Sequence, residues 1–232
     1  MPKKPYFCSD IWIKSVNMKD SIIILSGGMD SVTLLHEFQE RIALAVTFDY
    51  HSRHAEHEIA CARWQCHKLG IPHLVINIDF MEQYFRSSLL KNGYEEIPDG
   101  QYDETTMKST VVPFRNGVML SIAAGIAESQ GLQHVLMANH SGDHFVYPDC
   151  RPDFVVAMSH AIEEGTTNGV TLFAPYTPLS KREIALRGRE LGVDYSHTYS
   201  CYKGHDRHCG TCGTCLERKE ALEGFDPTEY EA

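Results

Sequence analysis

Short apolar runs alternate along the chain with segments whose apolar residues recur at helical spacing, from residue 21 to about residue 190. The runs are rich in β-branched residues and predict buried strands at 21–25, 41–48, 73–78 and 134–138. The segments between them predict helices at 31–40, 54–69, 115–128, 154–164 and 180–191. Because strands and helices alternate, the pattern predicts an α/β fold in which a parallel sheet carries helices on both faces.

Three segments depart from this alternation and divide the chain. Residues 1–20 have no clear pattern and are interpreted as an N-terminal leader, with an added strand as the alternative. Residues 81–112 lose periodicity and gain Gly, Asp, Glu and Thr, which indicates an excursion or lid within a domain of residues 21–195. Residues 196–232 hold four cysteines and are interpreted as a metal-binding C-terminal extension.

The composition fits one domain with a small appendage, since 43% of the 232 residues are hydrophobic and 22% are charged. With 21 basic and 31 acidic residues the formal net charge is −10, so we expect no broad nucleic-acid-binding surface. No run approaches the roughly 20 apolar residues of a membrane span, and no signal-peptide stretch follows the basic start. A cytoplasmic small-molecule enzyme without a membrane partner is therefore expected.

A glycine-containing string, Ser26-Gly-Gly-Met-Asp-Ser31, joins the first predicted strand to a helix. Adjacent glycines let backbone N–H groups approach an anion, and the helix N-terminus adds unpaired donors and a partial positive charge. The spacing matches neither the P-loop nor the dinucleotide-binding motif Gly-x-Gly-x-x-Gly. A tight turn that only caps the helix is the alternative, but the position after the first strand favours a phosphate site.

Four cysteines lie close together in the sequence, at Cys201, Cys209, Cys212 and Cys215. Their spacing, with two overlapping Cys-x-x-Cys turns, suits a tetrahedral zinc ion held by four thiolates. Four protein ligands leave no open coordination position, so the predicted site is structural. An iron–sulfur cluster is the competing interpretation.

A second polar cluster contains His51, His54, His57 and Glu58. His54 and Glu58 are four residues apart on a predicted helix, so they lie on one face and would permit a shared metal ion. The chain lacks a His-Glu-x-x-His string here. Substrate or nucleotide contacts and a solvated helix face are therefore favoured over a second metal site.

With its Ser-Gly-Gly-x-Asp-Ser string, the chain resembles the PP-loop family of ATP pyrophosphatases. The resemblance implies a Rossmann-like fold of the adenine nucleotide alpha hydrolase type. It also implies that the loop holds pyrophosphate while a substrate oxygen attacks the α-phosphate of ATP, which leaves AMP. In this family Asp30 and Ser31 would act at the phosphates, Asp30 by orienting the loop or a magnesium ion. Lys181 would be a second phosphate contact, with an ordinary surface lysine as the alternative.

The loop and the cysteines together narrow the resemblance to the 7-cyano-7-deazaguanine synthases, the QueC/ExsB family of queuosine synthesis. Further strings similar to that family are Thr47-Phe-Asp-Tyr50, Arg53-His54, Pro113-x-Arg115-Asn116 and Tyr147-Pro-Asp-Cys-Arg151. The ending from Cys201-Tyr-Lys-Gly204 to Cys215-x-Glu-Arg218 also looks like this family. PP-loop sulfurtransferases share the loop but not these strings. The resemblance covers roughly residues 21–222.

Family members convert 7-carboxy-7-deazaguanine to the nitrile in two ATP-dependent stages with ammonia, so the resemblance implies ATP, Mg²⁺ and Zn²⁺ as cofactors and a homodimer. The implied nucleotide contacts are Ser26, Gly27, Gly28, Met29, Asp30, Ser31, Thr47, Phe48, Tyr50, Arg53 and His54. The implied deazaguanine contacts are Arg115, Asn116, Asp143, Tyr147, Asp149 and Arg151. For Tyr147 the alternative is a plain turn at Tyr147-Pro148, and for Asp149 the alternative is a helix cap.

The chain departs from the family pattern at two places expected to line the site. The family usually reads Gly-Gln-Arg-His where this chain has His51-Ser52-Arg53-His54, and Asp-x-Ser-Gly where it has Asp143-His144-Phe145-Val146. Two alternatives follow. One is a related ligase that stops at the amide and joins the deazaguanine to a protein amine, as in an antiviral defence operon, with a partner protein from a neighbouring gene. The other is an inactive nucleotide-binding module that serves assembly.

Overall fold

One sheet of five parallel strands organises the chain, whose computed structural model describes residues 19–101 and 103–231. The expected leader lies outside these residues except for its last two. The strands are β1 (Ser21–Ile24), β2 (Ile42–Asp49), β3 (His73–Asn77), β4 (His134–Leu136) and β5 (Thr171–Phe173). Their order across the sheet is β3-β2-β1-β4-β5. From β1 the chain adds β2 and β3 on one side, and it then crosses over to add β4 and β5 on the other side. The switch point between β1 and β4 opens a crevice at the carboxyl ends of the strands.

Eight α-helices occur in the described residues. They are α1 (Met29–Glu37), α2 (Ala55–Leu69), α3 (Phe80–Tyr84), α4 (Glu104–Met107), α5 (Arg115–Ser129), α6 (Pro152–Gly165), α7 (Lys181–Glu190) and α8 (Gly213–Ala221). Single 3₁₀ turns lie at Lys108–Thr110, Ser141–Asp143, Pro148–Cys150 and Tyr195–His197. The longer helices begin and end within a few residues of the sequence prediction.

Successive strand residues face two different hydrophobic cores. On one face, Ile22 of β1 and Val135 of β4 pack in a cluster with apolar residues of α5 and α6. On the other face, Ile23 and Leu136 pack in a cluster with residues of α1, α2 and α7. Each fully buried aliphatic side chain contributes about 1.5–3 kcal/mol to stability. The predicted α/β architecture with helices on both faces is confirmed.

Four observed elements, β5, α3, α4 and α8, were not predicted by the sequence pattern. Strand β5 has only three residues, Thr171–Phe173, which is too short to produce a clear period. Helix α3 has five residues at the start of the excursion, and α4 has four residues within it. Helix α8 begins at Gly213 within the cysteine cluster, where the cysteine spacing predicts metal ligands and conceals the helical pattern.

The excursion packs on the cysteine-rich extension. Asp99 forms a bridge with Cys212, and the Gly100 N–H donates to the Thr211 carbonyl at 3.0 Å. Lys203 Nζ lies 2.6 Å from Asp99 Oδ1. The four predicted metal-ligating cysteines are buried in the same core as the strands. The extension is thus built into the body that carries the cavity described below.

The stretch Lys108–Ser129, which contains a 3₁₀ turn and then α5, is apolar enough to cross a membrane by length and composition alone. This differs from the sequence expectation that no such stretch exists. Its main part is α5, which packs against β1 and β4 and contributes Leu120 and Ala123 to the core. Packing against the sheet accounts for its apolar composition.

Candidate active site

A cavity opens where the carboxyl ends of β1, β2 and β4 meet, at the switch point of the sheet. Residues at those strand ends line it, including Leu25, Thr47 and Met137. The Thr47 hydroxyl donates to the Leu25 carbonyl at 2.6 Å, which ties two strand ends together. Two groups of polar residues face this cavity. We call them the loop end (Ser26–Ser31, Lys181 and the side chains paired with Asp30 and Lys181) and the tyrosine end (Tyr50, His54, Glu58, Arg115 and Tyr202).

The glycine loop at the loop end is held by its own serines and by α2. Ser26 Oγ accepts from the Gly28 N–H at 3.1 Å and lies 2.9 Å from Ser31 Oγ. Gly27 has φ of 89°, and a Cβ there would lie 2.1 Å from the Glu58 carbonyl oxygen. Only glycine permits this approach. The cavity is lined by Ser26, Gly28, Met29, Asp30 and Ser31, so the N-terminus of α1 borders it with backbone donors, as an anion site requires.

Lys181 lies partly buried against the glycine loop at the start of α7. Its Nζ lies 2.7 Å from Glu217 Oε2 and 3.4 Å from Asp30 Oδ2. Burial alone would lower its pKa, but the carboxylates of Asp30 and Glu217 outweigh burial and raise it above the usual value. The amine is therefore held as a cation beside the loop. Its environment differs from that of an ordinary surface lysine.

His140 also belongs to the loop end, although the sequence analysis did not single it out. Its Nδ1 accepts from the Gly142 N–H at 3.1 Å, so in the neutral ring Nε2 carries the proton. That Nε2 lies 3.8 Å from Asp30 Oδ2 and 3.5 Å from Asp143 Oδ2. Asp143, an expected substrate contact, is thus drawn toward the loop through His140.

The oxygens of Asp30 bear on whether a magnesium ion fits here. Asp30 Oδ1 is buried and has no hydrogen-bond partner among residues 19–101 and 103–231. A buried carboxylate oxygen without a donor is a suitable ligand for a hard cation. The donor chemistry of Asp30 therefore fits a hard cation such as Mg²⁺.

The tyrosine end is a buried network that joins α2 to α5. Arg115 Nη1 donates to the Tyr50 hydroxyl at 3.0 Å, and that hydroxyl lies 3.5 Å from His54 Nε2. The His54 ring stacks on Tyr202 with 5.2 Å between ring centroids. Burial disfavours a charge on Arg115, but the neighbouring Tyr50 and Tyr202 outweigh it and its pKa is raised. Arg115 thus places a fixed positive charge in the cavity.

Burial shifts two other pKa values at the tyrosine end. It lowers the pKa of His54 to about 3, helped by the charge of Arg115, so the imidazole is neutral. It raises the pKa of Glu58 to about 8, against the opposing effect of Arg115. Glu58 therefore changes its charge near neutral pH, which is unusual for a carboxyl group and typical of functional sites.

The start of α5 is fixed from outside the cavity. The Asn116 N–H donates to Asp149 Oδ2 at 2.8 Å, and Asn116 Nδ2 lies 3.2 Å from both the Asp149 carbonyl and Cys150 Sγ. Asp149 thus accepts from the first turn of α5, in the capping role that the sequence analysis kept as an alternative. Asn116 and Cys150 line the cavity.

Several expected site residues do not line the cavity. Tyr147 bonds through its hydroxyl to Thr110 at 3.0 Å, and Arg151 Nε donates to the His144 carbonyl at 2.8 Å. Arg53 donates to the carbonyls of Ser88 and Gly93, at 2.9 and 2.8 Å. These side chains hold loops around the cavity. The expected residues outside the lining are Gly27, Arg53, Tyr147, Asp149 and Arg151.

The four cysteines form a buried cluster whose sulfur atoms all lie within 4.8 Å of one another. Cys209 Sγ and Cys215 Sγ are 3.8 Å apart. A tetrahedron with Zn–S bonds of about 2.3 Å has edges of roughly 3.8 Å, so the cluster fits a zinc ion. In the described part of the chain, no other group of three or more ligand atoms lies this close together.

The two departures from the family pattern have distinct structural settings. His51 has φ of 58°, a conformation that favours the glycine usual in the family. Its N–H donates to Asp49 Oδ1 at 2.9 Å, and its ring lies 2.7 Å from Glu82 Oε2, which hold it in place. Val146 is buried, while Phe145 is 42% exposed. Neither His51 nor Phe145 lines the cavity.

Comparison with known proteins places the chain in a defined family. The family model described as queuosine biosynthesis protein QueC matches residues 20–226. A 7-cyano-7-deazaguanine synthase of Porphyromonas gingivalis is 57% identical over 216 residues, which are 92% of this chain and 98% of the relative. Proteins of the same name from Desulfotalea psychrophila and Methanoregula boonei are each 50% identical, over 92% and 91% of this chain and 99% of each relative.

A likeness to a solved structure is weaker. The NMN synthetase of Francisella tularensis superposes with a TM-score of 0.48 at 14% identity, over 85% of this chain and 71% of that one.

Proposed function

The chain belongs to the QueC family of queuosine biosynthesis proteins, and from this membership we propose that it makes 7-cyano-7-deazaguanine from 7-carboxy-7-deazaguanine, ammonia and ATP. The observation that carries the proposal is the pairing of the glycine loop and Lys181 with a half-buried Arg115 in one cavity. One end suits a triphosphate, and the other suits an anionic acid.

The reaction proceeds by activation of a poor leaving group. A carboxylate oxygen attacks the α-phosphate of ATP, pyrophosphate leaves, and the oxygen becomes part of a good leaving group. Ammonia then attacks the carbonyl carbon and releases AMP with the amide. A second adenylation, at the amide oxygen, allows loss of AMP and a proton to give the nitrile. The enzyme contributes mainly by holding the reacting groups in place and by stabilising charge.

At the loop end, backbone donors of Gly28 to Ser31 bind the β- and γ-phosphates. Lys181 stabilises the charge that develops on pyrophosphate, and it exchanges part of its contact with Glu217 and Asp30 for phosphate oxygens. A Mg²⁺ ion held by Asp30 would neutralise further phosphate charge. Thr47 and Phe48, at the end of β2, contact the adenosine.

At the tyrosine end, Arg115 attracts the carboxylate of the substrate, and its bond to Tyr50 fixes its direction. Asn116 and Asp143 contact the deazaguanine ring. Tyr147, Asp149 and Arg151 act by holding the segments that carry these contacts. The cysteine cluster binds zinc and stabilises the extension that carries Tyr199 and Tyr202 to the cavity. Homodimer assembly and a cytoplasmic location stay predictions of the family resemblance.

The test is mass spectrometry of products after mixing the protein with ATP, Mg²⁺ and 7-carboxy-7-deazaguanine. With ammonia, the proposal predicts the nitrile and two AMP for each nitrile. In a parallel sample, candidate proteins from neighbouring genes replace ammonia. If the products with ammonia stop at the amide, or a partner protein gains the deazaguanine mass, the chain is the conjugating ligase instead. Absence of AMP in every sample would identify a nucleotide-binding module without activity.

A further inference from the structure

The cavity holds one carboxylate that the adenylation chemistry leaves without a role. Glu58 lines the cavity with 18% of its side chain exposed. Its Oε2 lies 3.6 Å from His54 Nε2. Among the residues that the structure describes, none donates a hydrogen bond to its carboxylate oxygens. The carboxylate is partly open to the cavity, so its oxygens are available to a hydrogen-bond donor that enters.

When Glu58 is ionised, its negative charge disfavours anionic ligands. ATP brings several negative charges into the same cavity, and a second carboxylate comes with the substrate. Each is repelled by an ionised Glu58, whereas Arg115 and Lys181 attract them. Glu58 is therefore suited to a group that donates hydrogen bonds or carries positive charge.

The surroundings favour a small nitrogen compound that arrives charged and becomes neutral. His54 is held neutral, so it adds no positive charge beside Glu58. Tyr199 and Tyr202 line the same cavity, and aromatic rings tolerate a small cation nearby. Arg115 opposes a lasting positive charge nearby. Burial of an ammonium–carboxylate pair is costly, so proton transfer to give a neutral acid and neutral ammonia is favoured.

We propose that Glu58 is a catalytic residue that binds the incoming ammonium ion and accepts its proton. The inference rests on the function proposed above. Ammonium gives one proton to the Glu58 carboxylate, and the freed lone pair forms the new C–N bond with the acyl carbon. The C–O bond to AMP then breaks, and AMP leaves with the electron pair. The nitrogen loses its second proton to solvent to leave the neutral amide.

The pKa of Glu58 agrees with this role. Burial raises it to about 8, against the effect of Arg115. General bases work best when their pKa lies near the working pH, and enzymes commonly reach that range by burying a glutamate. The groups that face Glu58 are His54 and Tyr50 from the start of α2 and the loop before it, Cys61 from the next turn of α2, and Arg115 from α5.

The test compares two nitrogen nucleophiles in Glu58→Gln. Ammonium must lose a proton before it attacks, whereas hydroxylamine is largely unprotonated at neutral pH. We expect kcat/KM for ammonium to fall about 100-fold, while hydroxylamine still converts the acyl-adenylate to the hydroxamate at nearly the wild-type rate. Glu56→Gln is the matched control, because Glu56 lies on the same helix with its side chain 85% exposed. If Glu58→Gln does not fold, Glu58→Asp is used for the same comparison.

A separate readout distinguishes failure of this inference from failure of the proposed function. Exchange of labelled pyrophosphate into ATP with 7-carboxy-7-deazaguanine, and without ammonia, reports adenylation alone. No exchange in the wild-type protein contradicts the proposed function. Normal exchange together with an unchanged kcat/KM for ammonium in Glu58→Gln overturns the inference. A rise in KM for 7-carboxy-7-deazaguanine alone overturns it too, since Glu58 would then recognise the ring.

Discussion

At the loop end of the cavity the charged groups already pair with one another, and at the tyrosine end they do not. Lys181 lies 2.7 Å from Glu217 and 3.4 Å from Asp30. At the tyrosine end, the described residues give Glu58 only the neutral His54, at 3.6 Å, and Arg115 donates to a phenol. Under the proposed function, phosphate binding at the loop end therefore requires a rearrangement of its ion pairs. At the tyrosine end a ligand can reach Glu58 and Arg115 without breaking an ion pair between two charged side chains of the described residues.

The two ends share two supports, and these give the largest expected effects. The first is the cysteine cluster, whose Cys215 lies in the first turn of α8, the helix that carries Glu217, and whose Cys201 adjoins Tyr202. Cys212→Ser should lose zinc and lower the melting temperature by more than about 10 °C, because structural zinc commonly contributes on the order of 10 kcal/mol to folding. Metal analysis and circular dichroism measure both quantities. Cys61→Ser, outside the cluster, is the control, and full zinc content in Cys212→Ser would contradict the assignment.

The second support is Gly27, where the loop contacts α2. Gly27→Ala places a Cβ 2.1 Å from the Glu58 carbonyl at a φ of 89°, so the loop and α2 must separate. We expect a loss of about 2–4 kcal/mol in the free energy of unfolding, and slower AMP formation. Gly70→Ala is the matched control: its φ is 64°, yet no atom lies within 4 Å of the added Cβ, so only about 1 kcal/mol is lost. Equal losses, measured by urea unfolding, would show that the contact is unimportant.

Lys181→Ala tests whether the loop end and the tyrosine end act independently. It removes the cation of the loop end and leaves the tyrosine end intact, so we expect AMP formation to fall about 10²–10³-fold. Binding of 7-carboxy-7-deazaguanine, measured by calorimetry without ATP, should change little. Lys68→Ala, an exposed lysine on α2, controls for the loss of charge. Weakened deazaguanine binding would mean that the ends are coupled more closely than their contacts indicate.

The residues of the two ends were not equally predictable from sequence. Ser26 to Ser31 are contiguous and follow a β-branched strand, so the motif and its place at the sheet edge could be predicted together. The cysteine cluster was predictable too, because its two overlapping Cys-x-x-Cys turns are a spacing typical of zinc ligands. Glu217 belongs to the family-like string Cys215-x-Glu-Arg218, but nothing local shows that it reaches Lys181, and His140 belongs to none of the strings. Both reach the loop only through the packing of α8 and of the turn after β4. Glu58 sits within a string of polar residues that is equally typical of a solvated helix face.

The same dependence on long-range packing explains why several expected site residues lie outside the cavity. Arg53 and Arg151 stand in strings similar to the family, but the strings do not show in which direction each guanidinium points. Arg53 reaches carbonyls of the excursion, at Ser88 and Gly93. Asp149 accepts from α5, which lies more than thirty residues earlier in the chain. Long-range contacts of this kind arise only when the sheet has formed.

The last expected effect is a change of stability with pH at the tyrosine end. The pKa of Glu58 is raised from 4.5 to about 8 in the folded protein, so between these values the folded state binds more protons than the unfolded state. The contribution of Glu58 to stability therefore falls as pH rises, by at most about 1.4 kcal/mol per pH unit. Relative to the wild type, Glu58→Gln should become more stable between pH 5 and pH 8 in urea unfolding. A constant difference would place the Glu58 pKa at its ordinary value.

The central claim is that the substrate carboxylate attacks the α-phosphate between the two ends. The most direct measurement uses 7-carboxy-7-deazaguanine with both carboxylate oxygens labelled with ¹⁸O, together with ATP, Mg²⁺ and ammonia, and weighs the AMP by mass spectrometry. Both adenylations should transfer a carboxylate oxygen, so every AMP should carry one ¹⁸O and the nitrile none. ADP as the product, or AMP without label, would contradict the account.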